Sequence, residues 1–344
     1  MTALMVSASD LATLDPHDPQ PLRIFSAGPD DLASLRLPAA RRLVSLGAQW
    51  LDAPALQALF ALDLPNLSRL SFIGGALDPA ALAALGRSPV TAQVTSLVLT
   101  GPVGGGPAAE SLAGSPLFAR LESLEFADGD CGDAGCLALA RAAERGRLRH
   151  LVFGRFKFGI PGDVNNSEVT CRGVEHLLGS AALAGLEELK VALVAIEAPL
   201  ARKLLGSPLA RFVWLFPGSW TTRREAPAGG GCFEFQASGE LPDGPPEGPY
   251  HGRATLSDGR SFEGCGGGAV FSADGSLVAF PVWERRHGAL VSRSRVRVVR
   301  LGGGAVTDLP ETVPGSLTLF SLEADRVRGV ASLEDGPVPF EGAL

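Results

Sequence analysis

Apolar and polar positions follow one recurring order along the first two thirds of the chain. In "LFARLESLEF" (117–126), Leu121, Leu124 and Phe126 fall at i, i+3 and i+5 with polar residues between them. The same phrase stands at Leu148, Leu151 and Phe153 and, upstream, at Val94, Leu97 and Leu99. Matches begin at Ala40, Leu67, Val94, Leu121, Leu148, Leu186 and Phe212, with four intervals of 27 residues followed by 38 and 26. The last pair of apolar positions in each phrase alternates with polar ones, which predicts a short strand buried on one face. Recurrence at a fixed period of about 20–29 residues predicts stacked supersecondary units, because one such unit cannot bury its apolar face alone.

Each strand is followed by a helix-start signal. These are Pro54 after Asp52, Pro79 after Asp78, then Pro107, Asp133 and Pro199. Proline suits the first helical turn and aspartate the cap, since both deal with amides that have no partner there. Alanine- and leucine-rich stretches such as "DPAALAALGRS" and "DAGCLALARAAERG" then predict the helices. Parallel strands stack about 4.8 Å apart whereas packed helices need about 8–10 Å. Such a stack is expected to curve, with its strands on the concave side.

Residues 40–216 resemble the ribonuclease-inhibitor-like class of leucine-rich repeat proteins in period and pattern. The resemblance implies an α/β fold, a curved leucine-rich repeat solenoid of about seven strand–helix units with a 27-residue period. It also implies a protein-binding scaffold and no catalytic site. Gly75, Pro102, Gly129 and Phe156 stand where that class usually has asparagine, so its asparagine ladder is absent and the turns need other partners. The expected layout is an N-terminal lead-in at 1–39, the solenoid at 40–216, a Gly/Pro-rich linker at 217–250 and a small antiparallel β domain at 251–344.

That last region alternates with turn signals, and Asp-Gly between apolar runs predicts hairpins. "FSADGSLVAF" (271–280), and more weakly "FSLEADRVRGV" (320–330), resemble the hairpin repeats of WD40-like and TolB-type β-propellers. There is material for about two blades, and propellers close with at least about four, so a closed propeller is not expected.

Composition narrows the function. A net charge of −7 argues against nucleic acid as a partner. Arginine far outnumbers lysine (only Lys157, Lys190 and Lys203), which together with abundant Ala, Gly and Pro points to codon bias and fits a bacterial source. No apolar run reaches the roughly 18–20 residues that span a bilayer, and the acidic N-terminus lacks the basic start of a secretory signal. No membrane partner and a cytoplasmic location are expected. The five cysteines form no C-x-x-C pair and read as reduced thiols.

Candidate chemistry is sparse. "GPVGGGPAAE" (101–110) lacks the Lys-Ser/Thr of a phosphate loop and reads as a strand-to-helix turn. Asp128, Asp130 and Asp133 invite a calcium loop, but Leu139 stands where the closing glutamate belongs. Cys171 with His150 or His176 is left as a pair that only folding could assemble. No catalytic residue, cofactor or metal is expected.

Two features point to a protein partner. The unit between Leu148 and Leu186 is longer by 11 residues, within "GRFKFGIPGDVNNSEVT" (154–170), and carries Arg155, Phe156, Lys157 and Phe158. Insertions of this kind fall at one edge of a repeat stack. The strand positions between the buried leucines form two outward columns, Arg42, Arg69, Ser96, Ser123, His150, Glu188 and Val44, Ser71, Val98, Glu125, Val152, Lys190. The expected contacts are Arg42, Arg69, His150, Val152, Glu188 and Lys190 together with the four residues of the loop. The function expected is a non-catalytic scaffold or adaptor, as a subunit of a bacterial multi-protein hetero-complex. The alternative is a hydrolase or ligase-like effector with a site in or beside the β domain.

Overall fold

The computed structural model describes residues 3–74, 77–101, 105–126, 131–142, 147–153, 169–180, 183, 185–193, 198–206, 213–217, 221–229, 231–240, 250–266, 268–286, 289–333 and 336–344. The chain divides into two compact units, the first made of 1–155 and 167–189, the second described from Lys190 onward.

In the first unit β1 (Leu4–Met5), β2 (Leu22–Ala27), β3 (Leu43–Gln49), β4 (Arg69–Ile73), β5 (Ser96–Thr100), β6 (Ser123–Phe126) and β7 (His150–Phe153) lie side by side in chain order. Every one of these neighbours is parallel. β8 (Glu188–Leu193) continues the order. Helices α1 (Ala53–Phe60), α2 (Pro79–Leu85), α3 (Gly105–Ala113), α4 (Gly132–Ala142) and α5 (Cys171–Leu178) fall between successive strands from β3 onward. Parallel strands require such crossovers.

Leu46, Leu70, Leu97, Leu124 and Leu151 are register partners and are all fully buried. Beside them runs a second buried column, Ala48, Phe72, Leu99, Phe126 and Phe153, in which the rings of Phe126 and Phe153 stack 5.6 Å apart at 5°. Backbone bonds link the residues entering the strands, while Gly75, Pro102, Gly129 and Phe156, where the class has asparagine, lie outside the described residues. Ser68 N donates to Val44 O, Thr95 N to Ser68 O, Glu122 N to Thr95 O, Arg149 N to Glu122 O and Glu187 N to Arg149 O, at 2.7–3.1 Å.

The register corrects the reading of the first unit of the repeat. Leu46 faces Leu70, so the phrase starts at Leu43, not Ala40, and its first interval is 24 residues. Nor is 1–39 merely a lead-in, because β1 and β2 belong to the sheet.

Helix starts follow the capping signals. Asp52 accepts from Ala55 N at 2.9 Å and Asp78 from Ala81 N at 2.7 Å, each with proline in the first turn. Asp133 departs from its expected role. It lies inside α4, and its carboxylate accepts from Thr170 N, Thr170 Oγ1 and Gly173 N at 2.7–2.9 Å, so it caps α5 of the next unit.

The second unit contains α6 (Ala198–Gly206) and β9 (Val213–Pro217), then only strands and one short turn of helix among its described residues. β10 (Thr221–Glu225), β11 (Cys232–Glu240), β12 (Tyr250–Leu256), β13 (Ser261–Cys265), β15 (Leu277–Arg286), β16 (Ala289–Arg300) and β17 (Val306–Pro314) form one antiparallel sheet, with β14 (Val270–Phe271) paired to β15. β18 (Ser316–Leu322), β19 (Arg326–Leu333) and β20 (Gly336–Ala343) form another. The expected linker at 217–250 is therefore partly sheet, since β10 pairs along β11 and β11 along β12.

Both propeller-like stretches fold as hairpins, one at β14–β15 and one at β18–β19. Their sheets are not the four-stranded blades of a propeller. One core gathers Phe233, Phe235, Phe280 and Val299, and another Leu317, Leu319, Val327 and Phe340. Among the described residues no helix is long and apolar enough to cross a membrane.

Candidate interaction surface

On β4, β5 and β6 alternate side chains are buried, which leaves the intervening ones on the other face of the sheet. One line of register partners across that face reads Met5, Arg23, Ser45, Arg69, Ser96, Ser123 and His150. A second reads Gly47, Ser71, Val98, Glu125 and Val152, and a third Gln49, Ile73 and Thr100.

Arg69 is exposed on this face. His150 is partly exposed, with Nδ1 3.5 Å from Glu188 Oε2 and Nε2 4.0 Å from Glu187 Oε2. Glu187 also receives Arg149 Nη1 at 2.6 Å. Two carboxylates, Glu187 and Glu188, thus flank one imidazole at the β7–β8 end of the face, and Glu125 stands opposite Val152 on the neighbouring strand.

Arg42 is not in the column. It precedes β3, is only 9% exposed, and donates to Asp15 O at 2.6 Å and to Gln20 O at 2.6 and 2.9 Å, with Asp18 3.1 Å away. Its guanidinium ties the N-terminal segment to the sheet, and Ser45 holds the place beside Arg69. Val152 is also 9% exposed, so it offers little contact area. Lys190 belongs to β8, but its side chain lies outside the described residues, as do Arg155, Phe156, Lys157 and Phe158. The structure therefore brings Arg69, His150 and Glu188 to one face and removes Arg42 from it.

The sequence columns missed the aromatic end of the face. Between Ile24, opposite Leu46, and Ala27, opposite Ala48, β2 carries one residue more than β3. A bulge of this kind re-aims a side chain, and here Phe25 is 72% exposed. Gly47 makes the bulge possible, because a Cβ there would stand 2.0 Å from Phe25 O. At the end of β3, Trp50 is 71% exposed and takes φ 51°, a left-handed conformation unusual for a bulky residue. Its amide donates to Ile73 O at 2.9 Å, and its ring lies where Gly74 would carry a Cβ, 2.5 Å from Cε3 and Cζ3. In register terms Trp50 occupies the place held by Gly74 and Gly101 in the next units, both with positive φ. That substitution in a column of glycines was the available signal, and the misplaced first interval hid it.

Four of the five thiols are buried and Cys232 is partly exposed. Cys131 and Cys136 are buried with sulfurs 3.9 Å apart. Burial pushes the Cys265 thiol up to about 12, so it stays protonated at neutral pH and is not poised as a nucleophile. Among the described residues no group of three or more His, Cys, Asp or Glu is arranged to hold a metal ion. Compared with models of known protein families and with curated protein sequences, the chain matches none.

Proposed function

We propose that the first unit is a leucine-rich repeat solenoid of the ribonuclease-inhibitor-like class, and that the protein is a non-catalytic scaffold whose open sheet face holds a partner protein. The observation that carries this reading is the register itself. In-register parallel strands hold partly or fully exposed side chains of mixed character, Arg69, Ser96, Val98, Glu125 and His150, in fixed rows. A moderately polar surface of this kind, with arginine among its anchors, suits a protein interface. The loop at 154–170 would add Arg155, Phe156, Lys157 and Phe158 at its edge. The second unit would dock onto another component of the same assembly, with its hairpins borrowed from propeller-like repeats.

Photo-crosslinking in the host that makes the protein tests this. A benzoylphenylalanine replacing Ser96 should give a discrete adduct with one partner, and the same group replacing Glu110, exposed on α3, should not. Adducts from Glu110 alone, or none from Ser96, would overturn the reading.

A further inference from the structure

The two ends of the open face differ in chemistry. At the β1–β4 end stand the exposed Met5, Phe25 and Trp50 with Arg23 and Arg69, and at the β6–β8 end stand Glu125, Glu188 and His150. Arg23 and Arg69 occupy the same register line two strands apart, about 10 Å at ordinary strand spacing. Among the described residues neither guanidinium has a carboxylate partner, whereas Arg41, Arg42 and Arg149 each do. Phe25 lies two residues beyond Arg23 on β2, and Trp50 five residues beyond Ser45 at the far end of β3.

We infer that this end of the face holds an extended acidic segment of a protein partner, with carboxylates on Arg23 and Arg69 and apolar side chains against Phe25 and, farther along β3, Trp50. The inference rests on the open face being the partner-binding surface. The aromatics are held out by backbone built for the purpose. Phe25 stands on a bulge that Gly47 permits, and Trp50 keeps a left-handed φ with its ring laid over Gly74. Trp50, the one with the left-handed φ, gains no burial in the free protein that would offset its conformational cost. Large rigid side chains next to arginine are the composition of interface anchors. The charge of the whole chain decides the kind of anion. A nucleic acid carries charge on every residue and is disfavoured by a net charge of −7. A peptide can carry its carboxylates at one end and change composition beyond them.

A random-peptide library displayed on phage, selected against the intact chain, supplies the probe, and affinities are measured with a fluorescein-labelled copy of the most enriched peptide. Selected peptides should pair Asp or Glu with aliphatic or aromatic residues. Arg23→Glu/Arg69→Glu should weaken binding about tenfold or more, and exchanging the peptide's acids for lysine should restore it. Arg23→Gln/Arg69→Gln gives the same reading if the charge reversal does not fold. Trp50→Gly, which fits the left-handed backbone, should weaken binding comparably without lowering the melting temperature. Peptides that ignore these variants but are lost with Ser123→Arg would overturn this inference and leave the open-face reading standing. Peptides that depend on no open-face residue would overturn both. Tight binding of a labelled single-stranded oligonucleotide through Arg23 and Arg69 would replace the acidic segment with a nucleic acid.

Discussion

Leu124 stands in register between Leu97 and Leu151, and all three are closed to water. Leu124→Ala removes buried methyl groups and leaves a cavity that two fixed neighbouring strands cannot close, so it should cost about 2–5 kcal/mol. A urea titration followed by circular dichroism reads this as a lower midpoint, and an unchanged midpoint would contradict the column. Such residues were legible because equal 27-residue units set one apolar phrase against itself. Arg42 was misplaced for the converse reason. The first unit is three residues short of the period, 24 against 27, which shifts Arg42 off the strand and into the bonds with Asp15 and Gln20. Phe25 was illegible because its exposure comes from a bulge, and a bulge leaves no periodic trace.

Among the elements, α5 depends on its neighbour. It begins at Cys171, and its first amides are met by Thr170 Oγ1 and by the Asp133 carboxylate of α4. Asp133→Ala should cost about 1–2 kcal/mol, as the loss of a helix cap does. Hydrogen exchange should rise in α5 more than in α4, and the reverse order would return Asp133 to capping its own helix. In the second unit, hydrogen bonds from the Arg260 side chain hold the Asp258 carboxyl down to about 2, below the roughly 3.9 of an unfolded chain. As pH falls the unfolded chain takes up the proton first. This contribution is therefore complete above about pH 4 and lost as pH drops to about 2. Thermal unfolding of the wild type should lose stability across that window, and Asp258→Asn should flatten the loss. Helices were legible from caps such as Asp52 and Asp78, local signals that need no partner. β11 was legible in part, from the apolar alternation of Cys232–Gln236, whereas β10 was not, because the glycine and proline around it read as linker and only pairing with β11 makes a strand of it.

For the whole molecule, the sequence located the strand face proposed for a partner without its most exposed side chains, and the reason lies in where information resides. Core columns are periodic and therefore written many times, whereas Arg23, Phe25 and Trp50 are each written once. The placement of Phe25 depends on Gly47 of the next strand, and that of Trp50 on Gly74 just past β4. The same contrast governs how damage spreads. A repeat contacts only its neighbours, so a core defect is felt over adjacent strands and fades along the stack. Phe280 belongs instead to a core whose members all lie beyond residue 232, with the rings of Phe233 and Phe262 at 5.2 and 5.6 Å. Phe280→Ala should cost about 3–5 kcal/mol. In hydrogen exchange of the full chain, Leu124→Ala should speed amides of β5, β6 and β7 and spare β15 and β16. Phe280→Ala should speed amides of β11, β12 and β15 and spare the leucine column. If either variant loosened both sets equally, the two cores would belong to one cooperative structure, and the chain would have to be read as a single folding unit.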